Sequence, residues 1–530
     1  MTGDDRGDTS RSEPGEERPA SVRTDGGAAG ADDVALDPWG SSTVSDYRKL
    51  FEEFGIEEVE QILEEVPNPH YLMRRGVIFG HRDYRPVADA MREGGDAAVL
   101  SGFMPTGDPH IGHKLVFDEI IWHQRQGAEA YALIADLEAH SARGLSWEEI
   151  DEHARDYLLS LLALGFDPEE GELYRQSTNR EVQDLAFELG IEANFSELQA
   201  IYGFDGETDV SHMQSVVTQM ADILYPQLEE PKPTVIPVGP DQDPHVRLAR
   251  DLASRMRYFG VTEAYASFEA TPAELEVVAE AYEAREEYAE DPDVPRCTEA
   301  AEWLATEYGD DGGSALESAI TKLENAGMEP LRPRTRFLDR RADEEAFEAL
   351  IEAVEGEKRV FEGHVDAFDL ERGEAEELAR QLELDHGGYG FLPPSSIYHR
   401  FMTGLTGGKM SSSIPASHIS LLDDPEDGYD KVKSATTGGR ETAEKQRELG
   451  GRADECPVYE LYAYLLAGDD DEFAKRVYDE CVGGERLCGD CKEQAAQLMK
   501  EFLVDHQEKR AEVEDLLEET DIELESPRRR

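Results

Sequence analysis

The feature that most constrains the fold is a strand, a turn and a helix that follow one another directly in the first quarter of the chain. Residues 97–103 form an apolar run of strand length, and the turn after them ends in Asp108 and Pro109. Aspartate caps helix N-termini and proline suits the first helical position, so this pair predicts a helix that begins near His110. Residues 130–137 have the composition of a second buried strand. This order predicts a strand–helix–strand unit of Rossmann type.

The rest of the chain can be divided into segments by its amino-acid composition. A strand-and-turn pattern returns near residue 234, so two strand ends direct their loops towards one crevice. The predicted fold class is α/β, with a Rossmann-type parallel sheet, a helical C-terminal domain and an acidic, mainly helical insertion whose role stays open. We predict a disordered acidic tail over residues 1–42, the first part of the Rossmann domain over residues 43–264 and the insertion over residues 265–392. The second part of the Rossmann domain follows over residues 393–436, and the helical domain over residues 437–530.

The chain carries a large excess of acid. Asp and Glu number 118 against 52 Lys and Arg, which gives a formal net charge of -66 over 530 residues, while hydrophobic residues still make up 39% and can fill real cores. Repulsion among surface acids is screened at about 1 M salt, where the Debye length is only about 3 Å. We therefore expect a protein of a salty cytoplasm. The charge excludes broad, unspecific binding to phosphate backbones, because such binding requires Lys and Arg.

The expected location follows from the same sequence. A run of about eighteen apolar residues is absent, and the N-terminus is acidic and polar, without the apolar core of a signal peptide. We expect a cytoplasmic protein that does not contact a membrane. Five cysteines, an odd number in a long chain, do not form a disulfide framework.

Two histidines stand at the predicted helix start, in His110-Ile111-Gly112-His113. Residues three apart share a helix face, and Gly112 removes the side chain that would keep a flat base away from the backbone. The exposed N–H groups of a helix start also favour an anion. The pattern predicts a site for ATP, and the alternative is a pair of surface or metal-binding histidines.

A second motif, Lys409-Met410-Ser411-Ser412-Ser413, follows two glycines late in the chain. The glycines favour a mobile loop, which delivers one ammonium group and three hydroxyl groups. A movable cation suits a displacement at phosphorus, because negative charge spreads over the pyrophosphate as it leaves. The alternative for this segment alone is a serine-rich surface linker.

Together these motifs resemble the class I aminoacyl-tRNA synthetases, and three further segments narrow the match. Residues 74–84, 237–247 and 438–442 are similar to tryptophanyl-tRNA synthetases of the archaeal and eukaryotic type. The resemblance spans about residues 70–265 and 393–520. It implies a homodimeric enzyme that activates L-tryptophan with ATP and Mg2+ and charges tRNA(Trp), with the helical C-terminal domain meeting the anticodon.

By position, the resemblance implies a role for each residue that matches a family motif. The implied catalytic residues are His110, His113 and Lys409. Nucleotide binding is implied for Gly102, Gly112, Asp241, Met410, Ser411 and Ser412. Contact with the amino acid is implied for Glu138, Gln219, Asp222 and Gln242. Because a serine stands where longer forms of the loop have a second lysine, Mg2+ bound with ATP is expected to supply the missing positive charge.

The resemblance is compatible with two substrates, tryptophan and tyrosine. A carboxylate among apolar neighbours needs a hydrogen-bond donor, and the indole N–H of tryptophan would supply one to Asp222; the alternative is an acid on the helix surface. Tyrosine enzymes of the same subclass are similar in residues 102–107, but they have a tyrosine where this chain has Leu100. A site that lacks the partner of a substrate OH loses discrimination, so tryptophan is favoured. Leu100 and Leu133 also depart from the tryptophan pattern.

Two groups near the C-terminus keep open alternatives. Cys456, Cys481, Cys488 and Cys491 include a spacing that zinc sites use, but the sequence favours free thiols and no metal site. A non-catalytic paralogue that binds nucleotide or tRNA is a further functional alternative, against which the intact histidines and Lys409 argue. Six basic residues beyond the loop are either tRNA phosphate contacts or solvated helix charges: Lys431, Lys433, Arg440, Lys445, Arg447 and Arg452.

Overall fold

The computed structural model describes residues 50–51, 54–263, 334–408, 410, 414–520 and 522. The predicted tail and residues 265–333 of the predicted insertion lie outside the described residues. The described strands, in chain order, are β1 Glu57–Glu58, β2 Ile78–Arg82, β3 Ala98–Phe103, β4 Glu129–Ile134, β5 Gly171–Arg175, β6 Thr234–Val238, β7 Phe259–Glu263, β8 Thr335–Asp339, β9 Lys358–Val360, β10 His364–Ala367 and β11 Ser395–His399.

Helices surround these strands. None of the described helices is both long enough and apolar enough to cross a membrane. In chain order they are α1 Tyr71–Arg74, α2 Arg85–Glu93, α3 Ile111–Arg125, α4 Asp136–Arg143, α5 Trp147–Leu164, α6 Arg180–Glu192, α7 Phe195–Tyr202, α8 Val210–Leu224, α9 Asp243–Arg255, α10 Glu344–Ala353, α11 Arg372–Asp385, α12 Pro425–Ser434, α13 Ala443–Leu449, α14 Pro457–Leu461, α15 Asp471–Val482, α16 Cys488–Glu512 and α17 Glu514–Glu519.

A seven-stranded sheet in the order β1-β2-β11-β6-β3-β4-β5 carries the main core. The neighbours from β11 to β5 are parallel, whereas β1 and β2 join antiparallel at one edge. Strands β3 and β4 pair from Ala98 opposite Glu129 to Phe103 opposite Ile134, and α3 connects them. These strands are largely buried, as is typical of parallel sheets covered by helices. The predicted α/β class and its strand–helix–strand unit are confirmed.

The start of α3 differs from the prediction in its cap. The helix begins at Ile111, and His110, in extended backbone, is the cap in place of Asp108. Nδ1 of His110 accepts the N–H of Gly112 at 3.1 Å, and Nδ1 of His113 accepts the N–H of His110 at 3.2 Å. The two imidazoles therefore satisfy N–H groups at the helix start, which is the role that the prediction gave to Asp108.

The described part of the predicted insertion contains a sheet that the sequence did not predict. Strands β7, β8, β10 and β9 form a four-stranded antiparallel sheet, with α10 and α11 packed on it. The first of these strands begins at Phe259, so the module starts before residue 265. Its strands are short and charged, and Phe337 and Val365 are among the few apolar residues that they bury. Such half-buried strands lack a continuous apolar run, which explains why the helical pattern dominated the prediction.

The C-terminal region is helical. The long helix α16 packs against α12 and against α5, so it links the end of the chain to the Rossmann-type part. The crossing with α12 is close, because a Cβ on Gly428 would lie 2.3 Å from Cδ1 of Leu503. Arg510 of α16 also forms hydrogen bonds with α5, since its guanidinium donates to Asp156 at 2.7 Å and to the hydroxyl of Ser160 at 2.6 Å.

Candidate active site

The C-terminal ends of β3, β4 and β6 open into a cavity of about 510 Å³. Clefts of this size at the carboxyl ends of parallel strands are the usual ligand sites of open α/β sheets. Lys409, Ser411 and Ser412 lie outside the described residues. The other predicted site residues all line the cavity: Gly102, His110, Gly112, His113, Glu138, Gln219, Asp222, Asp241, Gln242 and Met410.

His110 and His113 stack ring on ring at the tip of α3, with centroids 3.8 Å apart. Burial, together with the imidazole of His418, lowers the pKa of His113 to about 4. Burial and the neighbouring imidazoles of His113 and His418 also hold the pKa of His110 well below its usual value. The hydroxyl of Tyr157 lies 3.2 Å from Nε2 of His113. Both rings are therefore neutral near pH 7 and act as hydrogen-bonding groups of fixed orientation.

Met410, the described residue of the late motif, lies at the tip of α3. A Cβ on Gly112 would lie 3.6 Å from Sδ of Met410, and both residues line the cavity. The segment after the loop is bonded to the same tip, because the N–H of Ile111 donates to the carbonyl of Ile419 at 3.1 Å. Met410 and the histidine pair, distant in sequence, thus line one cavity.

Asp222 is buried in the wall of this cavity and is held by two donors. The hydroxyl of Tyr174 donates to Oδ1 at 3.0 Å, and Nε2 of Gln176 donates to Oδ2 at 2.6 Å. Burial raises the pKa of Asp222 to about 7, although the two donors oppose that shift. The cluster joins α8 to the end of β5. The structure therefore places Asp222 in the cavity wall and not on an exposed helix face.

Gln176 lines the cavity and carries a buried acceptor without a partner. Its side chain is 2% exposed, and among the described residues its Oε1 has no hydrogen-bond partner. Leu100 and Leu133 contribute buried apolar surface to the same cavity. The wall is tight, since a Cβ on Gly102 would lie 2.9 Å from Cδ1 of Leu133. The apolar surface of Leu100 and Leu133, in the same lining as a buried amide oxygen without a partner, suits a flat apolar group that carries a single N–H donor.

A second carboxyl group with a shifted pKa lies in the first turn of α4. Burial raises the pKa of Glu138 to about 7, and Arg143 opposes that shift. Gln219 of α8 lines the same cavity and is half-buried. A half-buried carboxyl in a cavity wall that also carries amide groups can accept hydrogen bonds from an ammonium group, which would stabilise its charged form.

The turn after β6 holds Asp241 and Gln242 at the cavity. A short 3-10 helix, Pro240–Gln242, leads directly into α9, whose first residue, Asp243, is buried. Oδ1 of Asp243 accepts from Arg82 of β2 at 2.8 Å and from the hydroxyl of Tyr398 of β11 at 2.5 Å. These contacts with two neighbouring strands fix the turn and, with it, the two side chains that line the cavity.

Several residues of the cavity were missed from the sequence. Gln176 follows the last residue of β5 at the same edge of the sheet, and its polar side chain after a strand was the one available signal. His399 ends β11, and its Nδ1 lies 3.2 Å from the buried carboxyl of Glu119. Tyr174 and Glu119 do not line the cavity but contact Asp222 and His399, which do. They occupy ordinary positions in a strand and a helix, so no sequence pattern marked them.

The basic residues beyond the loop are largely paired with nearby acids. Lys431 contacts Asp423 at 2.6 Å, and Lys433 contacts Glu493 at 2.5 Å. Lys445 and Arg452 form ion pairs with acids three or four residues away on their own segments. The positive charge of this run is therefore partly neutralised within the chain.

The chain is similar to known proteins in family, sequence and fold. A family model described as tRNA synthetases class I (W and Y) matches residues 92–271 and 374–504. Tryptophan–tRNA ligase 1 of Halobacterium salinarum is 73% identical over 503 residues, which cover 94% of this chain and 98% of that protein. Tryptophan–tRNA ligase of Methanosarcina acetivorans is 46% identical over 492 residues, or 92% of this chain and 98% of that protein.

A solved structure agrees with these sequence relatives. The crystal structure of tryptophanyl-tRNA synthetase from the hyperthermophilic archaeon Aeropyrum pernix K1 matches with a TM-score of 0.62 and 31% sequence identity. The match covers 93% of this chain and 100% of that one. The similarity therefore extends over nearly the whole chain.

Proposed function

Since this chain belongs to the class I tRNA synthetases for tryptophan and tyrosine, we propose that it is a tryptophan–tRNA ligase that activates L-tryptophan with ATP and charges tRNA(Trp). The tryptophan carboxylate attacks the α-phosphorus of ATP, and pyrophosphate leaves. A hydroxyl group at the 3′ end of the tRNA then attacks the aminoacyl carbonyl, and AMP leaves. The observation that carries the proposal is that the histidine tip of α3, Met410 and Asp222 all line one cavity.

The ATP half of the cavity is the tip of α3. His110 and His113 are neutral, so they bind phosphate oxygens through N–H groups while the helix N-terminus favours the negative charge. Gly102 and Gly112 let the nucleotide approach the main chain, and Asp241 binds its ribose. Lys409, with Ser411 and Ser412, is proposed to approach the leaving pyrophosphate. No side-chain base is needed, because the carboxylate is already the nucleophile and positioning dominates the rate.

Mg2+ is proposed to arrive bound to the phosphates of ATP. Among the described residues of the cavity, no three side chains form a cluster of metal ligands. The cavity therefore fits a metal ion that the nucleotide carries better than one that the protein holds. When bound, the ion neutralises charge on the pyrophosphate, which is the role that a second loop lysine would otherwise share.

The amino-acid half of the cavity recognises tryptophan by two features. Glu138, Gln219 and Gln242 are proposed to accept hydrogen bonds from the α-ammonium group. The indole N–H is proposed to donate to Oε1 of Gln176, which Asp222 orients by accepting the amide N–H of the same side chain. Asp222 thus fixes the orientation of Gln176. The indole N–H can donate to Gln176 and does not depend on Asp222 as its only hydrogen-bond partner.

The remaining parts of the proposal concern the whole chain. The helical C-terminal region is proposed to meet the anticodon, two copies are proposed to form the active dimer, and the cytoplasm is the proposed location. Sedimentation of the full chain in multimolar KCl tests the dimer directly.

The activity is tested by ATP–pyrophosphate exchange in multimolar KCl. Tryptophan should support exchange, and tyrosine at the same concentration should give a rate lower by orders of magnitude. Lys409→Ala should reduce exchange by at least about a hundredfold, because a transition-state cation is lost. Lys433→Ala is the matched control, since Lys433 pairs with Glu493 outside the cavity lining. Exchange with tyrosine alone would favour the tyrosine enzyme, and no exchange would favour a non-catalytic paralogue.

A further inference from the structure

A buried carboxyl group lies behind the wall of the active-site cavity. Glu119 belongs to α3 and is 1% exposed, and neither of its carboxylate oxygens has a hydrogen-bond partner in the described part of the chain. Burying a carboxyl group without a donor is costly, and buried polar groups in folded proteins are nearly always paired. An acid in this position therefore needs a reason, and the neighbouring strand supplies one.

The group that faces Glu119 is His399, the last residue of β11. Its Nδ1 lies 3.2 Å from Oε1 of Glu119, and the ring is buried but lines the cavity. The two nitrogens of an imidazole lie on opposite edges of the ring, so Nε2 is the nitrogen left for a ligand in the cavity. A carboxylate that holds one ring nitrogen fixes the tautomer and the orientation of the other, as it does for histidines that bind metals.

His399 ends a strand that runs beside the part of the cavity proposed for the ribose. Strand β11 pairs in parallel with β6 as far as Tyr398, so the two strands end side by side. The turn after β6 carries Asp241, and a Cβ on Gly239 in that turn would lie 2.9 Å from Cε1 of Phe401. The segment that starts at His399 therefore passes the proposed ribose turn before it reaches the late motif.

The pair of carboxyl and imidazole can carry a positive charge that the tip of α3 does not. Burial lowers the pKa of His110 and of His113, so both rings are neutral. Burial raises the pKa of Glu119, with a smaller contribution from Asp118, and the contact with His399 opposes that shift. A carboxylate and an imidazolium thus stabilise each other here, and an anion at Nε2 would favour the same charged pair. This charge would stand where longer forms of the loop have their second lysine.

We propose that His399 binds a phosphate group of ATP through Nε2–H, and that Glu119 is the residue that orients and charges its ring. The inference rests on the proposed function, because ATP is the ligand which that function assigns to this cavity. His399 then contacts the substrate directly. Glu119 is a positioning residue, since it touches no substrate and acts through His399.

Binding of ATP to the full-length protein tests the contact. It is measured calorimetrically in multimolar KCl, with Mg2+ and without an amino acid. His399→Asn keeps a polar group near the place of Nδ1 but has none at Nε2, so its Kd for ATP should rise about 10- to 100-fold. His399→Gln brings an amide N–H to the place of Nε2–H, so its Kd should rise less. His386→Asn is the matched control, because His386 follows α11 outside the cavity lining, and it should bind ATP as the wild type does.

The separate parts of ATP show which group His399 contacts. Inorganic tripolyphosphate, in competition with ATP, should bind His399→Asn more weakly by the same factor as ATP, whereas adenosine should bind this variant and the wild type equally. A loss of affinity for adenosine would show a contact with the base or a distorted cavity, and it overturns the proposal. Unchanged affinity for ATP in His399→Asn overturns it as well, and equal losses in the two His399 variants overturn the assignment of Nε2.

Glu119→Gln tests the positioning role. The amide keeps an acceptor for Nδ1–H but removes the charge, so the Kd for ATP should rise about three- to tenfold while adenosine binding stays unchanged. In the His399→Asn background the same change should have no further effect, because Glu119 acts through His399. An equal loss in both backgrounds would contradict this role. A protein that binds ATP but gives no pyrophosphate exchange with tryptophan would contradict the proposed function alone.

Discussion

At the scale of single residues, the cavity is built from buried polar groups whose partners come from other elements. Asp222 of α8 accepts from Tyr174 and Gln176 at the end of β5. Because each of these groups is costly to bury alone, the cluster is stable only as a set. The set leaves one amide oxygen unused, and that oxygen sets the proposed selectivity for an N–H donor.

The proposed role of Gln176 predicts a change in substrate discrimination. Gln176→Met keeps the volume but removes the acceptor, so kcat/KM for tryptophan in pyrophosphate exchange should fall about 10- to 100-fold, equivalent to about 1–3 kcal/mol. The analogue in which sulfur replaces the indole N–H should be used equally well by the variant and the wild type. Gln219→Met is the matched control and should affect both substrates equally, because Gln219 is proposed to contact the ammonium group that they share. A parallel loss for both substrates in Gln176→Met would contradict the assignment.

The shifted pKa of Glu138 predicts a pH-dependent stability. Burial raises this pKa to about 7 from a usual value of 4.5, so between these values the folded chain keeps a proton that the unfolded chain has lost. This contribution to stability is complete below the unfolded pKa and is lost as the pH rises through about 7. Glu138→Gln removes the titration. Its Tm relative to the wild type should therefore increase from pH 5 to pH 8, by about 1–3 °C, in circular dichroism melts at constant KCl.

The same melts also show whether the difference in Tm depends on pH. The charge of Glu138 also contributes to the raised pKa of Asp222, and its removal in Glu138→Gln changes the difference in Tm in the same direction. A difference in Tm that is equal at both pH values would show that Glu138 has an ordinary pKa.

At the scale of elements, the helix cap and the proposed ATP site coincide at the tip of α3. Gly112 is required there because a Cβ would lie 2.9 Å from Cε1 and 3.0 Å from Nδ1 of His110. The ring that would be displaced is the one that caps the helix.

Gly112→Ala should therefore damage both the cap and ATP use. Loss of a helix cap costs about 1 kcal/mol of stability, and a displaced His110 should lower kcat/KM for ATP by about tenfold or more. Gly107→Ala is the matched control in the preceding turn, where a Cβ would meet no atom within 4 Å. Equal kinetics for the two variants, from ATP titrations of pyrophosphate exchange, would show that the space at Gly112 does not matter.

The helices and strands also show which parts of the fold could be predicted from sequence patterns. The unit of β3, α3 and β4 was predictable because its apolar runs and its turn are local and strong. The antiparallel sheet of β7 to β10 was not, because its strands are short, charged on one face and paired across a long stretch of chain. The cap of α3 was also misassigned, since the choice between Asp108 and His110 depends on backbone geometry that the sequence does not display.

At the scale of the whole molecule, the acid excess should make stability depend on salt. The net charge is -66, and the Debye length grows from about 3 Å at 1 M salt to about 10 Å at 0.1 M. At 0.1 M salt, the repulsion between surface acids therefore acts between neighbouring side chains. We expect Tm to fall by about 10 °C or more between these KCl concentrations. NaCl at equal ionic strength should protect as well as KCl, and a Tm that does not depend on salt would contradict the screening argument.

The sequence by itself determined the class of fold and the family, because these depend on short segments whose residues act with their immediate neighbours. Only the tertiary structure decided which groups meet: Met410 at the tip of α3, Gln176 beside Asp222, and four cysteines around one cavity. Each of these encounters joins residues far apart in the chain. Their distances are set by the packing of whole helices and strands, and no local pattern encodes that packing.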